Sequence, residues 1–335
     1  MSSMNVLAAP DHPLRSLPKV ELHCHVEGTA RPATVAELAA KHGIPLGVQA
    51  PEDLYSYSSL SDFLAAFGTV CSAFVDQDDF HRMAYEAAED AAAAGIKYRE
   101  MFVSPGFHLD RGIRFDTFWD GIVAGVIDGE VDHGVRTRLI IDIDKPKGLG
   151  PALAVLEVAR HLDRDLLIGI GGDSNELGVD HDQFAPLVRE ANNLGFRTCF
   201  HCGEEGPAEN IAAMVAAGVD RIDHGTRLLD LPDLVERVVD AQIPLTSCPS
   251  SNVELEVVPT LEEHPFARQL AAGALVTLNS DDPAFFRFDL ADEYARIAAA
   301  FDFGFDEMVA IRDRAIDAAW LDDVDKESLR SAFAG

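Results

Sequence analysis

Basic residues are scarce in this sequence: 27 Lys and Arg stand against 57 Asp and Glu, for a formal net charge of −30. So acidic a chain repels phosphodiester backbones and anionic lipid, which argues against nucleic acid or a membrane surface as partner. A neutral or cationic small molecule suits it better, and most of the carboxylates simply solvate the surface. No apolar run approaches the roughly 20 residues that a bilayer crossing needs. Met1–Ser16 lacks the basic stretch and apolar core of a signal peptide and reads as a loosely ordered N-terminal arm. Cysteines are few and odd in number, five in 335 residues. That argues against a disulfide framework and for a reducing, cytoplasmic setting. Cys199 and Cys202 form a C-x-x-C, but a redox pair usually opens a helix and this one straddles a strand end.

Linkers, low-complexity segments and internal repeats are missing too, so residues 1–335 read as a single domain. What recurs is a pattern: a short apolar run, a polar or glycine-rich corner, then a longer helical stretch. The runs are Val20–Cys24, Tyr98–Val103, Thr137–Ile143, Leu166–Ile170, Arg197–Phe200, Arg221–Asp223, Ile243–Ser247 and Leu275–Leu278. Helical candidates between them include Phe80–Ala93, Phe118–Asp132, Pro151–His161, His181–Leu194, Glu209–Ala217, Leu231–Ala241 and Pro265–Ala272. Gly95, Gly134, Gly195, Gly218 and Gly273 follow such stretches, as helix stops do. Near-continuously apolar strands alternating with helices make a parallel sheet covered on both faces. Eight such units predict an α/β fold, a (β/α)8 TIM barrel. The alternative is an open doubly wound sheet, but no G-x-G-x-x-G follows the first strand. Thr34–Phe80 is too long for one crossover helix and is expected to add helices over the barrel mouth, with Tyr55–Leu60 as a lid corner.

Polar residues of chemical interest gather at the C-terminal ends of these strands, where barrel enzymes carry their sites. Strand one ends in His23-Cys24-His25. Two histidines one residue apart on a strand project to the same side and can reach one ion. Strand five ends in His201-Cys202-Gly203-Glu204, strand six in Asp223-His224-Gly225, and strand eight in Asn279-Ser280-Asp281-Asp282-Pro283. Any one of these could be a satisfied core histidine or an Asx turn. Together, at one end of one barrel, they make a candidate metal site.

The sequence resembles the adenosine deaminase family, including its adenine deaminase branch. The matching segments are Leu17-Pro-Lys-Val-Glu-Leu-His-Cys-His-Val-Glu-Gly28, His201-Cys-Gly-Glu204, Arg221-Ile-Asp-His-Gly225, Ser247-Cys-Pro-Ser-Ser-Asn252 and Asn279-Ser-Asp-Asp-Pro283. The resemblance implies that His23, His25, His201 and Asp281 hold one Zn2+, a set that suits a borderline-soft ion and leaves a position for water. It implies that His224 orients this water as base, that Glu204 donates a proton to purine N1, that Asp282 meets N7 and that the Gly172 amide meets N3. Water then adds to C6 and ammonia leaves. Related two-metal amidohydrolases carry a bridging lysine after strand four, where this chain has Gly171-Gly172, so one metal is expected. The cytidine deaminase type needs His-x-Glu and Pro-Cys-x-x-Cys, and Cys248-Pro249 is in the wrong order. Cys248 is expected to pack.

The substrate implied is a 6-aminopurine, of adenine or adenosine type. Adenosine-specific members commonly have Asp two residues after the second histidine; this chain has Glu27, whose extra methylene would fill ribose space. Alternatively, Glu27 orients a zinc histidine. Phe107-His-Leu-Asp-Arg-Gly112 also resembles the adenine branch, whereas Phe102–Gly106 and Gly171–Asn175 match neither branch cleanly. This favours an adenine-type base narrowly over adenosine. An N6-substituted aminopurine or an aminopterin is a further possibility, as is an inactive purine-binding barrel. Arg111, Lys145 and Lys147 could meet a phosphate but are expected to be solvated.

Overall fold

The computed structural model describes residues 12–48, 50–57 and 60–333. Eight strands lie side by side in chain order: β1 Lys19–His25, β2 Ile96–Val103, β3 Arg136–Asp144, β4 Leu167–Asp173, β5 Arg197–Cys202, β6 Arg221–His224, β7 Leu245–Ser247 and β8 Val276–Leu278. Each neighbouring pair is parallel. An order without interruption excludes the doubly wound sheet, whose strand order reverses at a switch point. The ring is drawn together just past the end of β8. There the His25 N–H donates to the Asp281 carbonyl at 2.9 Å, and the Asp281 N–H to the His23 carbonyl at 3.2 Å. The fold is the expected (β/α)8 barrel.

Strands β1 and β6 are buried along their whole length, and β2 to β5 along most of it, because helices cover the outer face of the sheet and side chains fill its interior. The interior floor is polar: Arg221 Nη1 meets Glu100 Oε2 at 2.5 Å with both side chains fully buried, and the guanidinium lies 3.9 Å from the Trp320 ring centroid. In β4 the glycines answer to crowding, since a Cβ on Gly171 would lie 2.0 Å from Asp142 Oδ1 and one on Gly172 2.5 Å from the Phe200 ring. All five cysteines are buried and unpaired.

The anticipated helices are present within a few residues of their expected bounds, and Gly134 and Gly218 close two of them in the left-handed conformation. His181–Leu194 differs: it is a 3-10 turn, His181–Phe184, followed by the helix Ala185–Asn193. Pro186 accounts for the break, because a proline without an N–H is best tolerated in a first turn. Between Thr34 and Phe80 the chain forms Pro32–His42, the 3-10 turn Pro51–Tyr55 and Leu60–Ser72, with Gln77–Ala93 beginning before Phe80. Of the expected lid corner, Ser58 and Ser59 lie outside the described residues, while the Tyr55 hydroxyl donates to the Ala30 carbonyl at 2.6 Å. Residues 1–11 of the expected loose arm are likewise outside the described residues. Its described end is fastened: Pro13–Ser16 is a short helix, Leu14 is buried, and Arg15 pairs with Asp289 at 2.5 Å and Asp292 at 2.8 Å. Three helices near the C-terminus, Leu290–Phe301, Phe305–Ala318 and Asp323–Phe333, were not anticipated; the second packs on β1 and β8. Among the described residues no helix is long and apolar enough to cross a membrane.

Candidate metal and proton-transfer centre

The strand ends deliver their histidines to one point. His23 Nε2 lies 3.1 Å from Asp281 Oδ1, and His25 Nε2 lies 3.2 Å from His201 Nε2 and 3.5 Å from Asp281 Oδ1. Proton placement follows from the outer partners. The Thr246 hydroxyl donates to Asp223 Oδ1 at 2.8 Å, so at 3.0 Å from His23 Nδ1 it can only accept. The His23 proton therefore sits on Nδ1 and a lone pair faces inward from Nε2, a fully buried atom with no hydrogen-bond partner. His201 Nδ1 likewise donates to the Gly172 carbonyl at 3.1 Å, turning its Nε2 inward. Burial pushes His23 down to about 4, and burial plus three neighbouring histidines holds His201 well below the ordinary range, so both are neutral. Burial alone would raise Asp281, but His23, His224 and His25 outweigh it and keep the carboxylate ionised. The orphaned inward lone pair of His23 and the inward Nε2 of His201, beside an ionised carboxylate, fit a borderline divalent cation such as zinc.

The geometry gathers two residues beyond the expected ligand set, His224 and Asp282. Ligand atoms of His23, His201, His224 and Asp281 all lie within 4.8 Å of one another, and His25 forms a second such group with Asp281 and Asp282. His224 and Asp281 both hold left-handed backbone, at φ 61° and 64°. For residues with a side chain this costs about 1–3 kcal/mol each, a strain that collects at working sites.

Glu204 stands beside this cluster. Its Oε1 accepts from Asn252 Nδ2 at 2.9 Å and lies 3.5 Å from His224 Nδ1. Burial first, then the charges of Asp281 and Glu176, outweigh His224 and push its carboxyl up to about 7. Such a group can hold a proton at neutral pH and give it away. Asp282 is raised well above the carboxylate range by burial and by the negative neighbours Asp281, Glu27, Glu204 and Asp173, and its Oδ1 has no partner. Room for it depends on Gly28, where a Cβ would come within 1.9 Å of Asp282 Oδ1.

A cavity opens over these groups, lined by His25, His201, Glu204, His224, Asp281 and Asp282 from the expected set, and by Asp173, Ser174 and Ser104. Phe63, Leu64 and Phe67 of the helix Leu60–Ser72 roof it, with Phe107 and Leu255. Gly172 does not line it. That residue is still inside β4, paired with Ile143, and its carbonyl holds His201; the wall beyond it belongs to Asp173 and to Ser174, at φ 69°.

Glu27 is also set back from the cavity. Its Oε1 accepts from the Ser104 N–H at 3.1 Å and from His108 Nε2 at 2.8 Å, while Oε2 is buried without a partner. Among the described residues it makes no hydrogen bond to His23, His25 or His201, which argues against the orienting role. Arg111 Nη2 donates to His108 Nδ1 at 3.1 Å and so fixes the tautomer that serves Glu27. The basic corners are not free for a phosphate. Lys145, expected to be solvated, is buried with Nζ 2.5 Å from the His201 carbonyl, and Lys147 pairs with Asp110 at 2.5 Å.

The sequence profile of the family described as adenosine deaminase matches residues 18–334. The chain belongs to the adenosine deaminase family. It is 37% identical over 317 residues to the adenine deaminase of Caulobacter vibrioides, covering 93% of this chain and 92% of that one. Its fold is similar to the crystal structure of adenine deaminase from Arthrobacter aurescens, at TM-score 0.90 and 34% identity over 95% of this chain and 98% of the other. A zinc-bound amidohydrolase from Burkhoderia ambifaria aligns at TM-score 0.91 and 30% identity over 100% of this chain and 96% of its own. Members of the family are metal-dependent hydrolases of cyclic amidines, and the His/Asp cluster is where this chain carries the corresponding donors.

Several residues that build the site escaped the sequence reading. Asn252 and Asp223 lay inside segments quoted for the resemblance yet had no role there. Ser251, in the same segment as Asn252, likewise had none, although its Oγ donates to Asp281 Oδ2 at 2.6 Å. Glu176, Thr246 and His264 gave no signal, because each acts through a partner distant in the chain.

Proposed function

We propose that this chain hydrolyses the exocyclic amino group of adenine, giving hypoxanthine and ammonia, with one Zn2+ held by His23, His25, His201 and Asp281. One observation carries the reading: the neutral, inward-facing His201 imidazole and an ionised Asp281 share a cavity with Glu204, a carboxyl raised to about 7. Bound there, zinc supplies the Lewis acidity that brings the pKa of a water toward about 7. His224, which lines the same cavity, orients the attacking water. Glu204 donates its carboxyl proton to N1, which makes C6 electrophilic. Asp282, protonated in its buried site, donates to N7. Asp173 and Ser174, rather than Gly172, face the N3 edge.

The cavity wall supports a neutral base over a nucleotide. Asp173, Glu204, Asp281 and Asp282 line it and, among the described residues, no Lys or Arg does, so a phosphate would meet carboxyl groups without a cationic side chain. The relatives named adenine deaminases point the same way. Steady-state kinetics of zinc-loaded protein on adenine, adenosine, AMP and N6-substituted adenines, side by side, test the proposal. Adenine is expected to lead and AMP to be inert. Turnover led by an N6-substituted purine would reassign the substrate, and no turnover across the panel would leave a purine-binding barrel without activity. His201→Ala should lose zinc, while Glu204→Gln should keep zinc and lose turnover.

A further inference from the structure

We propose that His264 and Asn252 form a directional hydrogen-bond chain that reserves one oxygen of Glu204 as acceptor and so places its transferable proton on the other; the inference rests on Glu204 being the proton donor. Its first link is the Phe266 N–H, which donates to His264 Nδ1 at 3.1 Å. A ring nitrogen that accepts carries no proton, so the imidazole proton sits on Nε2. Nε2 lies 3.1 Å from Asn252 Oδ1 and donates to it. The Thr226 hydroxyl donates to the same Oδ1 at 3.1 Å. With two donors aimed at one end of the amide, its orientation is fixed: turned over, the Asn252 NH2 would face the His264 N–H. Nδ2 therefore points the other way and donates to Glu204 Oε1 at 2.9 Å, with His224 Nδ1 at 3.4 Å.

The links from Phe266 to Asn252 are out of water, and only the last, to Glu204, is part-buried. Asn252 is fully buried and His264 is 1% exposed, so solvent neither competes for these bonds nor randomises them. Burial also pushes His264 down to about 3, so it stays neutral and the chain keeps its direction at working pH. The consequence falls on Glu204. An amide N–H does not give up its proton, so Oε1, facing Nδ2, must accept, a part the carbonyl oxygen of a carboxylic acid plays better than its hydroxyl oxygen. The carboxylic acid proton is thereby placed on Oε2, in a side chain that lines the cavity. The relay moves no proton itself; His264 and Asn252 are positioning residues.

A bland alternative is that these side chains merely tie the loops after β6 and β7 together. Kinetics separate the two. Asn252→Ala is expected to lower kcat for adenine on the order of 10-fold to 100-fold while zinc content and KM stay within about twofold. In a Glu204→Gln background, followed by single-turnover assays at high enzyme concentration, the same substitution should cost nothing more. His264→Gln, which retains an N–H for Asn252, should stay within a few-fold of the parent protein, and His264→Phe should match Asn252→Ala. Equal losses with and without Glu204 would overturn the inference, as would full kcat in His264→Phe or loss of zinc in Asn252→Ala. If Asn252→Ala does not fold, the His264 pair decides alone. A parent protein inactive on every aminopurine would instead remove the role of Glu204, and the inference with it.

Discussion

The Glu176 carboxylate accepts the backbone N–H of Glu204 at 3.1 Å, together with those of Gly203 at 2.6 Å and Gly206 at 2.9 Å. Asn210 Nδ2 completes the set at 2.8 Å. A buried carboxylate with four donors is an ionised anchor: burial alone would raise it, but Lys145 and these hydrogen bonds bring it below its ordinary value. The loop that carries the proton donor thus hangs on one side chain from the end of β4. Glu176→Gln would turn an amide NH2 toward backbone N–H groups that need acceptors. It is expected to lower kcat/KM about 100-fold by misplacing Glu204, and to cost about 2–3 kcal/mol of stability. Zinc content should persist, because His201 precedes the loop. Kinetics, metal analysis and urea unfolding check this, and an unchanged kcat/KM would refute the anchoring role.

The outer partners of the metal donors make a second prediction. Thr246 fixes the proton of His23, and Ser251 donates to Asp281. Thr246→Val and Ser251→Ala should each weaken zinc affinity about 10-fold to 100-fold, since a ligand freed from its partner loses orientation and basicity. Chelator competition measures this directly. Saturated with zinc, both variants should approach the parent kcat, and chelator sensitivity equal to the parent's would count against the assignment.

Residues with a local signature were legible in the sequence. Strand β2 announces itself as the apolar run at Tyr98–Val103, and the pair His23 and His25 announces a shared side. What escaped depends on partners distant in sequence. Glu176 reads as one more acidic residue in an acidic chain, and His264 as a lone histidine before a proline; only folding sets the one under Glu204 and the other behind Asn252. The resemblance puts the Gly172 amide past strand four at purine N3, whereas β4 runs on through Asp173 and Ser174 is the first residue past the strand. Lys145 looked solvated because an acidic background usually leaves lysines in water, whereas a backbone carbonyl holds it in the interior.

Stability should carry the mark of Glu204 in metal-free protein. Its folded value of about 7 exceeds the ordinary 4.5, so the folded chain binds this proton more tightly than the unfolded one. The stabilisation is fully present below about pH 4.5 and is lost as pH rises toward about 7. Asp282, also raised by burial, acts in the same direction. Urea midpoints of the apoprotein should therefore fall between about pH 5 and about pH 8, and Glu204→Gln should flatten part of that fall. An identical slope in the variant would show that Glu204 titrates at its ordinary value.

Glu27 offers the test of base against nucleoside. His108 and the Ser104 amide grip Oε1, so Oε2 is held at a defined place with no protein partner. Glu27 stands behind Ser104, which lines the cavity, so it shapes the wall that a ribose would meet without reaching the base itself. Glu27→Asp withdraws the carboxylate by about one C–C bond, roughly 1.5 Å, and clears the space it filled. The adenosine-to-adenine ratio of kcat/KM should then rise about tenfold. Glu27→Gln keeps the bulk and the block against ribose, so adenosine should remain poor. If Glu27→Asp leaves the ratio where it was, ribose is excluded by some other wall, and the aromatic roof around Phe63 and Phe67 becomes the place to look.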